Sequence, residues 1–343
     1  MINDYRNNTY QNSVNFNHPY YAYFLYLPAH SISGYSKEAI NGFVTNGTGI
    51  TAFPENPKSY VNFNTGTFSV APPSNLSMMY GIGEAIINAQ KKYGVNALTI
   101  YGAAYSESGL GKSAIAFGKN NLFGMGAADD APFAKAITYD TVADSVDAYA
   151  SSISVNSFGN INSWQYNGTH QGNKLSGTAV YYASDPYSGQ SKAGTAYNLD
   201  QKFGGLDEFS STIGVTTNKD SAVKVYKEPS LSSTVIYETK NYAKGKILVQ
   251  MPFIVLEKVT VLENGNNNIY YKVLTDISLS SDRVMSPTSI YNTEYSFGYI
   301  KESDLYVQNN APVLKTTSKT VEQHEEIDLY TLEGLSESSI PYI

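Results

Sequence analysis

One glutamate of this 343-residue chain has the setting expected of a catalytic acid. Glu107 ends an apolar run with helical spacing, and Gly109 and Gly111 follow directly after it. Glycines in these positions favour the end of a helix, which would leave the carboxyl group at the lip of a cleft. Apolar neighbours and the negative end of a helix dipole both favour a protonated carboxyl group, the form that donates a proton. The pattern indicates a general acid, although a single glutamate at a helix end is more often a solvated surface residue.

The elements that would position Glu107 are two consecutive helices. Apolar residues between 82 and 93 recur on one helical face, and Gly94 can close this first helix. Asn96 is a favourable N-cap for a second helix, which would carry Glu107 near its C-terminal end. The small residues at 102–104 would let another element approach this helix closely.

Further segments complete the predicted catalytic region. Residues 36–44 favour a short helix with its apolar residues inward, and another helix is expected to start near Thr141, with Asp144 as its capping partner. Residues 120–139 lack helical periodicity and are interpreted as a short β-lobe or a loop. The apolar, tyrosine-rich residues 20–27 are expected to form a strand or a docking segment.

Three ordered motifs resemble the peptidoglycan N-acetylglucosaminidases, the family 73 glycoside hydrolases. Residues 103–113, AAYSESGLGKS, are similar to the family's A-x-x-E-S-G-x-G-x-S segment, and residues 121–124, NLFG, are similar to its N-L-F-G. Residues 182–187, YASDPY, resemble its Y-A-T/S-D-P segment. The resemblance spans about residues 27–205. It implies a lysozyme-like α+β fold that cleaves the β-1,4 bond after N-acetylglucosamine in peptidoglycan glycan strands, with Glu107 as the general acid.

The second catalytic group is less well defined by the sequence. Asp129 and Asp130 lie in the predicted β-lobe, in a segment that resembles an A-Y-D-x-x-P segment of some relatives, and Asp129 is the slightly favoured candidate. Two acids in an ordinary turn are an equally good interpretation. Many relatives are thought to carry a more distant glutamate in this lobe, but no glutamate occurs between 108 and 207 here. The substrate's own 2-acetamido oxygen could instead act as the nucleophile, which would require only the acid.

The resemblance also implies substrate-binding residues. Tyr182 would stack on or hydrogen-bond to the sugar near the cleaved bond, or it is a core tyrosine. Asn121 and Phe123 would shape the floor of the cleft. Trp164, the sole tryptophan, could serve a sugar subsite, although burial in a core is the more frequent role of a single tryptophan.

From about residue 214 the pattern changes to alternating strands separated by turn residues, which is typical of a small all-β barrel. Residues 223–230 and 298–305 resemble the opening and closing strands of bacterial SH3-like wall-binding domains, with an inserted loop near 275–292. An inert spacer is the alternative. The predicted domains are an irregular N-terminal extension (1–75) packed on the catalytic domain, a lysozyme-like mainly helical catalytic domain with a short β-lobe (76–213), an SH3-like wall-binding barrel (214–308) and a linker or tail (309–343).

Composition excludes several classes of protein. The net charge of −7, without clusters of Lys or Arg, argues against a nucleic-acid partner. The chain has no cysteine, and its four histidines are too scattered for a zinc site, so no metal or cofactor is predicted. A phosphate loop is excluded because Ser106 stands where GxxxxGKS requires glycine. No apolar run approaches the roughly 20 residues that span a bilayer, so no membrane partner is expected.

The expected protein is a monomeric, extracellular, cell-wall-associated hydrolase. Its first residues lack the basic start and apolar core of a signal peptide, so either the signal has been removed or the protein is phage-encoded and released by lysis. Two rival functions stay open. One is a lytic transglycosylase or muramidase that cleaves after N-acetylmuramic acid, and the other is a non-catalytic wall-binding protein.

Overall fold

Contacts along the chain divide the protein into two units. In the computed structural model, the helical unit comprises Ile32–Ser152 and Ser191–Asp207, and the strand-rich unit comprises Met1–Ser31, Ile153–Gln190 and Glu208–Ile343. These cut points differ from the domain boundaries predicted at 75, 213 and 308, which stay predictions. The structure describes residues 22–217, 220–249, 251–263, 265–287 and 289–307, together with the backbone of 316–320.

Helices dominate the part of the chain before residue 203. None of the described helices is long and apolar enough to cross a bilayer. In chain order they are α1 (Ala22–Tyr26), α2 (Lys37–Thr45), α3 (Gly83–Tyr93), α4 (Ala97–Ser108), α5 (Ala114–Lys119), α6 (Pro132–Lys135), α7 (Val142–Ser154), α8 (Ala179–Tyr182) and α9 (Ser188–Lys202), with a 3-10 turn at Pro57–Tyr60.

The helix ends are set by capping residues, of which the sequence predicts Asn96, Gly94 and Gly109. The Ser36 hydroxyl caps α2, and the side chain of Asn96 accepts a hydrogen bond from the third residue of α4. Gly94 ends α3 at φ 65° and Gly109 ends α4 at φ 58°, both in the left-handed region that suits glycine. The ends of α3 and α4, the two helices predicted to position Glu107, are therefore specified by neighbouring residues. The prediction of these helices is confirmed.

A capping box starts α7, as predicted. The Asp144 carboxylate accepts a hydrogen bond from the backbone N–H of Thr141 at 2.9 Å, and the backbone N–H of Asp144 donates to the Thr141 hydroxyl at 3.2 Å. Val146 and Tyr149 are buried on the inner face of this helix. The hydrophobic face therefore agrees with the predicted spacing.

Two predicted β-segments are corrected by the structure. Residues 120–139 contain no strand; they form turns and α6, so the loop interpretation holds and the β-lobe does not. The small hairpin of the helical unit lies earlier, where β1 (Val61–Asn62) pairs antiparallel with β2 (Thr67–Phe68). Residues 22–26 form α1 rather than a strand. Tyr23–Tyr26 are all buried, and a segment buried on every side shows no periodicity by which helix and strand can be distinguished.

The strand-rich unit is built on one eight-stranded sheet with the order β11-β3-β8-β9-β10-β4-β5, and β12 also pairs with β8. Neighbouring strands are antiparallel, except that β12 runs parallel to β8. The strands are β3 (Thr212–Thr216), β4 (Lys224–Tyr226), β5 (Val235–Glu238), β6 (Lys240–Asn241), β7 (Lys246–Ile247), β8 (Pro252–Glu263), β9 (Asn266–Leu274), β10 (Phe297–Lys301), β11 (Leu305–Val307) and β12 (Thr316–Thr320).

Two details of this unit differ from the prediction. An alternating pattern at 247–251 predicts a strand, but β7 ends at Ile247 and β8 begins only at Pro252, so the described residues 248, 249 and 251 lie outside strands. Residues 316–320 form β12 instead of a linker, while the rest of 308–343 lies outside the described residues. The core of the sheet is aliphatic and aromatic, and its fully buried members include Val225, Val273, Ile277, Leu279 and Ile300.

Candidate active site

Glu107 is the penultimate residue of α4, a helix that is buried along most of its length. Its side chain is 25% exposed, so the carboxyl group lies at the boundary between the helical unit and solvent. The apolar residues of α4 anchor the helix, and the glycine at its end stops it where the carboxyl group emerges. The predicted position at the end of a buried helix is therefore observed.

The turn after Glu107 explains the residue types of the motif around it. The Ser108 hydroxyl donates to the carbonyl of Ala104 at 2.5 Å and accepts from the backbone N–H of Gly111 at 2.7 Å. Gly111 has φ 69°, and a Cβ at this position would lie 2.7 Å from the backbone nitrogen of Met79. Only glycine fits there, so the serine and the glycine together fix the chain that leaves Glu107.

The carboxylate of Glu107 is paired with a buried lysine. The Lys192 ammonium lies 2.8 Å from Oε1 of Glu107, and the Lys192 side chain is only 3% exposed. This differs from the expected apolar setting, because the charge nearest to the acid is a cation held in the interior. Buried ion pairs require close geometry to offset the cost of desolvation, so the pair fixes the direction of the carboxyl group.

Close packing of α4 against α9 brings the pair together. A Cβ on Gly102 would lie 3.5 Å from the carbonyl oxygen of Lys192 and 3.5 Å from the backbone nitrogen of Ala196. One turn away, the hydroxyls of Ser106 and Thr195 are 3.0 Å apart. The small residues of α4 therefore admit a neighbouring helix, as predicted.

Sequence reasoning missed Lys192, although α9 carries a signal. The buried residues of this helix recur at helical spacing through Gly189, Ala193, Ala196 and Leu199, and Lys192 lies on the same face. A lysine in the apolar stripe of a helix needs a buried partner. That signal points to a buried anion but does not identify it as Glu107.

The residues before and within the NLFG motif hold the following loop closed. The Lys119 ammonium donates to the carbonyl of Ala136 at 2.6 Å, and the Asn120 amide donates to the carbonyl of Asp140 at 2.8 Å. The Asn121 amide donates to the carbonyl of Ile137 at 3.0 Å. Three consecutive side chains thus bind the far side of the loop, and we refer to Lys119–Asn121 as the loop clamp.

Asn121 and Phe123 are structural in this geometry. Asn121 is 1% exposed, and its carbonyl oxygen also accepts from the backbone N–H of Met125 at 3.1 Å. Phe123 is buried and stacks on Tyr149 with ring centroids 4.1 Å apart. These contacts fit a role in shaping the floor of the cleft. Both side chains are directed into the protein, so neither is presented to a ligand.

The two candidate aspartates are exposed on the loop that the clamp closes. Asp130 forms an ion pair with Lys135 at 2.8 Å, and its side chain is 70% exposed. Asp129 is exposed beside it. The ion pair of Glu107 is formed with Lys192 and involves neither Asp129 nor Asp130.

Tyr182 and Trp164 lie in the strand-rich unit. Tyr182 ends α8, half-buried, and its ring centroid lies 5.7 Å from that of Phe158. Trp164 is 55% exposed, so the burial expected of a single tryptophan is wrong. Exposure depends on the folded surroundings, and no local pattern around Trp164 indicates it.

Comparison with known proteins identifies the segment that carries Glu107 and Lys192. Residues 83–202 match the glucosaminidase family, described as mannosyl-glycoprotein endo-beta-N-acetylglucosaminidase. This segment is therefore similar to that family. It contains α3 to α9 and all three sequence motifs.

Two curated relatives are similar to part of the chain. "Putative endo-beta-N-acetylglucosaminidase" from Streptococcus pneumoniae serotype 4 is 35% identical over 133 residues, which is 39% of this chain and 19% of that protein. The protein of the same name from S. pneumoniae strain R6 is also 35% identical over 133 residues, with 39% and 18% covered. The chain thus spans about a fifth of the length of the curated relatives it matches.

Solved structures of S. aureus autolysin E show a looser similarity. One crystal structure of this autolysin is 18% identical, with 54% of this chain and 74% of that chain covered and a TM-score of 0.36. A catalytic mutant in complex with the disaccharide NAG-NAM is 18% identical, with 53% and 73% covered and a TM-score of 0.34.

Proposed function

We propose that the protein is a peptidoglycan hydrolase, an endo-β-N-acetylglucosaminidase that cleaves the β-1,4 bond between N-acetylglucosamine and N-acetylmuramic acid. The observation that carries the proposal is the Glu107 carboxyl group at the end of a buried helix, 2.8 Å from a buried ammonium. The glucosaminidase-family match over the same segment supports it, as do the names of the curated relatives.

Glu107 acts as the general acid in this proposal. Glu107 first takes up a proton from water, because in its ion pair with Lys192 it is a carboxylate. As the bond between C1 of N-acetylglucosamine and the oxygen of the next sugar breaks, this proton passes to that leaving oxygen. A water molecule then adds to C1 and gives up its proton to a base. The Lys192 ammonium orients the carboxyl group through Oε1 and stabilises the carboxylate that remains after proton transfer.

Asp129 is the better candidate for the second carboxylate. Its neighbour Asp130 is engaged with Lys135, whereas Asp129 is exposed next to that pair. The alternative is that the substrate's 2-acetamido oxygen attacks C1, and then neither aspartate is needed. Asp129→Asn and Asp130→Asn distinguish these mechanisms. A loss of about a hundredfold in kcat for Asp129→Asn alone supports the carboxylate, and near-normal activity of both variants supports substrate assistance.

The strand-rich unit is proposed to bind the cell wall as an SH3-like module. The two segments that resemble the opening and closing strands of such domains correspond to β4 and β10, and these strands pair directly through Tyr226 and Tyr299. With this module, we propose an extracellular, cell-wall-associated monomer that acts on peptidoglycan. Substrate binding by Tyr182 stays a prediction.

The test of the proposed activity is clearing of purified peptidoglycan by the full chain. Glu107→Gln should lower the rate at least about a hundredfold, because it removes the acidic proton without changing the shape of the side chain. Glu84→Gln is the matched control, since Glu84 is an exposed glutamate of the same unit that pairs with Lys37 on the surface. Near-normal clearing by Glu107→Gln would overturn the mechanism.

Product analysis separates this function from its rivals. A new reducing N-acetylglucosamine end supports the proposal, whereas a 1,6-anhydro-muramoyl end identifies a lytic transglycosylase. Binding to the wall without any new reducing end identifies a non-catalytic protein.

A further inference from the structure

An exposed aromatic cluster on the strand-rich unit has no role in the proposed cleavage. Trp164 is 55% exposed and Tyr181 is 36% exposed, and their ring centroids are 5.1 Å apart with an interplanar angle of 65°. The Lys244 ammonium lies 4.2 Å from the centroid of Tyr181 and 5.4 Å from that of Trp164, and it also contacts the Tyr181 hydroxyl. We call Trp164, Tyr181 and Lys244 the aromatic platform.

One buried side chain holds the platform in place. The amide of Asn241, which is fully buried, donates to the carbonyls of Trp164 at 3.3 Å and Tyr166 at 2.6 Å. Its carbonyl oxygen accepts from the backbone N–H of Lys244 at 3.0 Å. Asn241 therefore fixes the loop that presents Trp164 and the hairpin that presents Lys244 relative to each other. An ordered aromatic surface loses little conformational freedom when a ligand binds.

Exposure of the tryptophan is costly unless a ligand covers it. Burying a large apolar side chain is worth about 1.5–3 kcal/mol, and tryptophan is highly buried on average. Here the main chain that carries the ring is fixed by the hydrogen bond from Asn241 to the Trp164 carbonyl. An aromatic pair presented in this way is a recognition surface more readily than a packing defect.

The chemistry of the platform favours a glycan that carries carboxylates. Aromatic faces stack on the C–H faces of sugar rings, and two rings at a steep angle can contact two faces of a sugar chain. Lys244 and Lys246 are exposed on the β6–β7 hairpin of a protein whose net charge is −7, so positive charge is concentrated beside the rings. Peptidoglycan combines N-acetylated sugars with lactyl and peptide carboxylates, which complements both features.

We infer that the aromatic platform is a glycan-binding site that holds the protein on peptidoglycan strands. This inference rests on the proposed function for its substrate class. The platform gives the strand-rich unit a defined binding surface, with Trp164 and Tyr181 stacking on sugars and Lys244 contacting a carboxylate of the same strand.

The sole tryptophan of the chain makes binding directly observable. The full-length Glu107→Gln variant is titrated with soluble peptidoglycan fragments while its tryptophan fluorescence is followed. We expect a saturable change in emission, because Trp164 is the only tryptophan and would lose solvent contact. Vesicles of anionic lipid are the second probe. An emission change with vesicles and none with the fragments would show a membrane surface instead and would overturn the inference.

Wall retention provides the second measurement. Trp164→Ala should weaken binding to insoluble peptidoglycan about tenfold or more, as truncation of an aromatic anchor does, and Tyr181→Ala should have a smaller effect. Leu231→Ala, which truncates another exposed apolar side chain of the unit, should bind like the wild type. Wild-type wall affinity of both Trp164→Ala and Tyr181→Ala would contradict the inference.

Cleavage of short soluble fragments separates the two proposals. If Trp164→Ala binds the wall weakly and Glu107→Gln is inactive on fragments, both proposals hold. If Glu107→Gln retains cleavage while Trp164→Ala loses wall affinity, the catalytic proposal fails and the platform stands. If wall affinity is unchanged in Trp164→Ala and Glu107→Gln is inactive, only the platform fails.

Discussion

Two buried lysines, one in each unit, show how differently the same side chain can be used. Lys192 of the helical unit is 3% exposed in its side chain and lies 2.8 Å from the Glu107 carboxylate. Lys272 of the strand-rich unit is 1% exposed, and its ammonium lies 4.0 Å from the ring centroid of Phe297. Among the described residues, no hydrogen-bond acceptor contacts that ammonium.

Both lysines are buried, so burial does not distinguish them. The group that lies beside the ammonium does. Lys192 has an anion that reaches solvent, so its positive charge acts on a group that a substrate can meet. Burial lowers the pKa of Lys272 to about 8, against the opposing attraction of the Glu257 carboxylate, and the ammonium lies 4.0 Å from the ring centroid of Phe297. The lowered pKa means that the charge of Lys272 is a net cost to the fold. We therefore expect substitution of Lys192 to change turnover and substitution of Lys272 to change stability.

The largest expected effect tests the Glu107 pair. Lys192→Met should lower kcat for peptidoglycan cleavage about a hundredfold with little change in KM, because the general acid loses the cation that orients it and stabilises its conjugate base. Lys192→Arg should restore part of the activity, since it keeps the charge. Steady-state kinetics on soluble fragments measure both values.

Lys272→Met is the matched control for that experiment. It removes a buried lysine of the other unit and should leave kcat within about twofold of the wild type. Equal losses of kcat in Lys192→Met and Lys272→Met would show that lysine burial in general matters for folding, and the distinction between the two residues would fail.

A second prediction concerns the stability of the strand-rich unit. The pKa of Lys272 is lowered to about 8 from an ordinary value of 10.5, so the unfolded chain binds more protons between these values. The free energy of unfolding should therefore rise as pH increases from about 8 to 10.5. Lys272→Met should remove this rise.

Urea unfolding followed by Trp164 fluorescence measures this effect, because the only tryptophan lies in the strand-rich unit. The exposed Lys246 provides a control, and Lys246→Met should keep the pH dependence of the wild type. Destabilisation of Lys272→Met by more than about 1 kcal/mol at pH 7 would show that the ammonium is favourable where it lies.

The smallest effect tests the spacing that allows Lys192 to be buried. A Cβ on Gly102 would meet its nearest neighbours in α9 at 3.5 Å, an ordinary contact. Gly102→Ala should therefore keep the ion pair and stabilise the helical unit by about 0.5 kcal/mol, because alanine favours a helix interior over glycine. Gly111→Ala is the contrasting variant. With a Cβ 2.7 Å from Met79 nitrogen, it should lower the melting temperature and the activity together.

The sequence predicted the parts of the fold that are specified by neighbouring residues. Caps at Asn96 and Thr141 and left-handed glycines at 94 and 109 depend on contacts within a few residues, so local patterns reveal them. The β-lobe was misplaced because residues 120–139 lack helical periodicity, which a strand and a loop share. In the structure, the side chains of the loop clamp donate to the carbonyl groups of this segment in place of a neighbouring strand. Residues 22–26 were misread because complete burial removes periodicity.

The sequence predicts the position of Glu107 but not its pairing with Lys192. Glu107 lies in a motif whose helix end and glycines are local features. Its pairing with Lys192 depends on the packing of α4 against α9, which are distant in sequence. The main-chain position of Trp164 is likewise fixed by Asn241, a residue of β6 that is distant in sequence. Tertiary contacts of this kind leave no local pattern.

The loop clamp has a consequence for engineering. Its carbonyl acceptors lie in residues 134–140 and at Met125, so residues 127–133 contribute no acceptor to it. Phe133 packs on Phe63 and on the Lys119 ammonium, so it belongs to the fixed part of the structure. Residues 127–131, which include Asp129 and Asp130, are therefore the part of the loop that can be exchanged. Insertions confined to it would keep both ends at their present separation, so new recognition loops could be grafted there without disturbing the helix that bears Glu107.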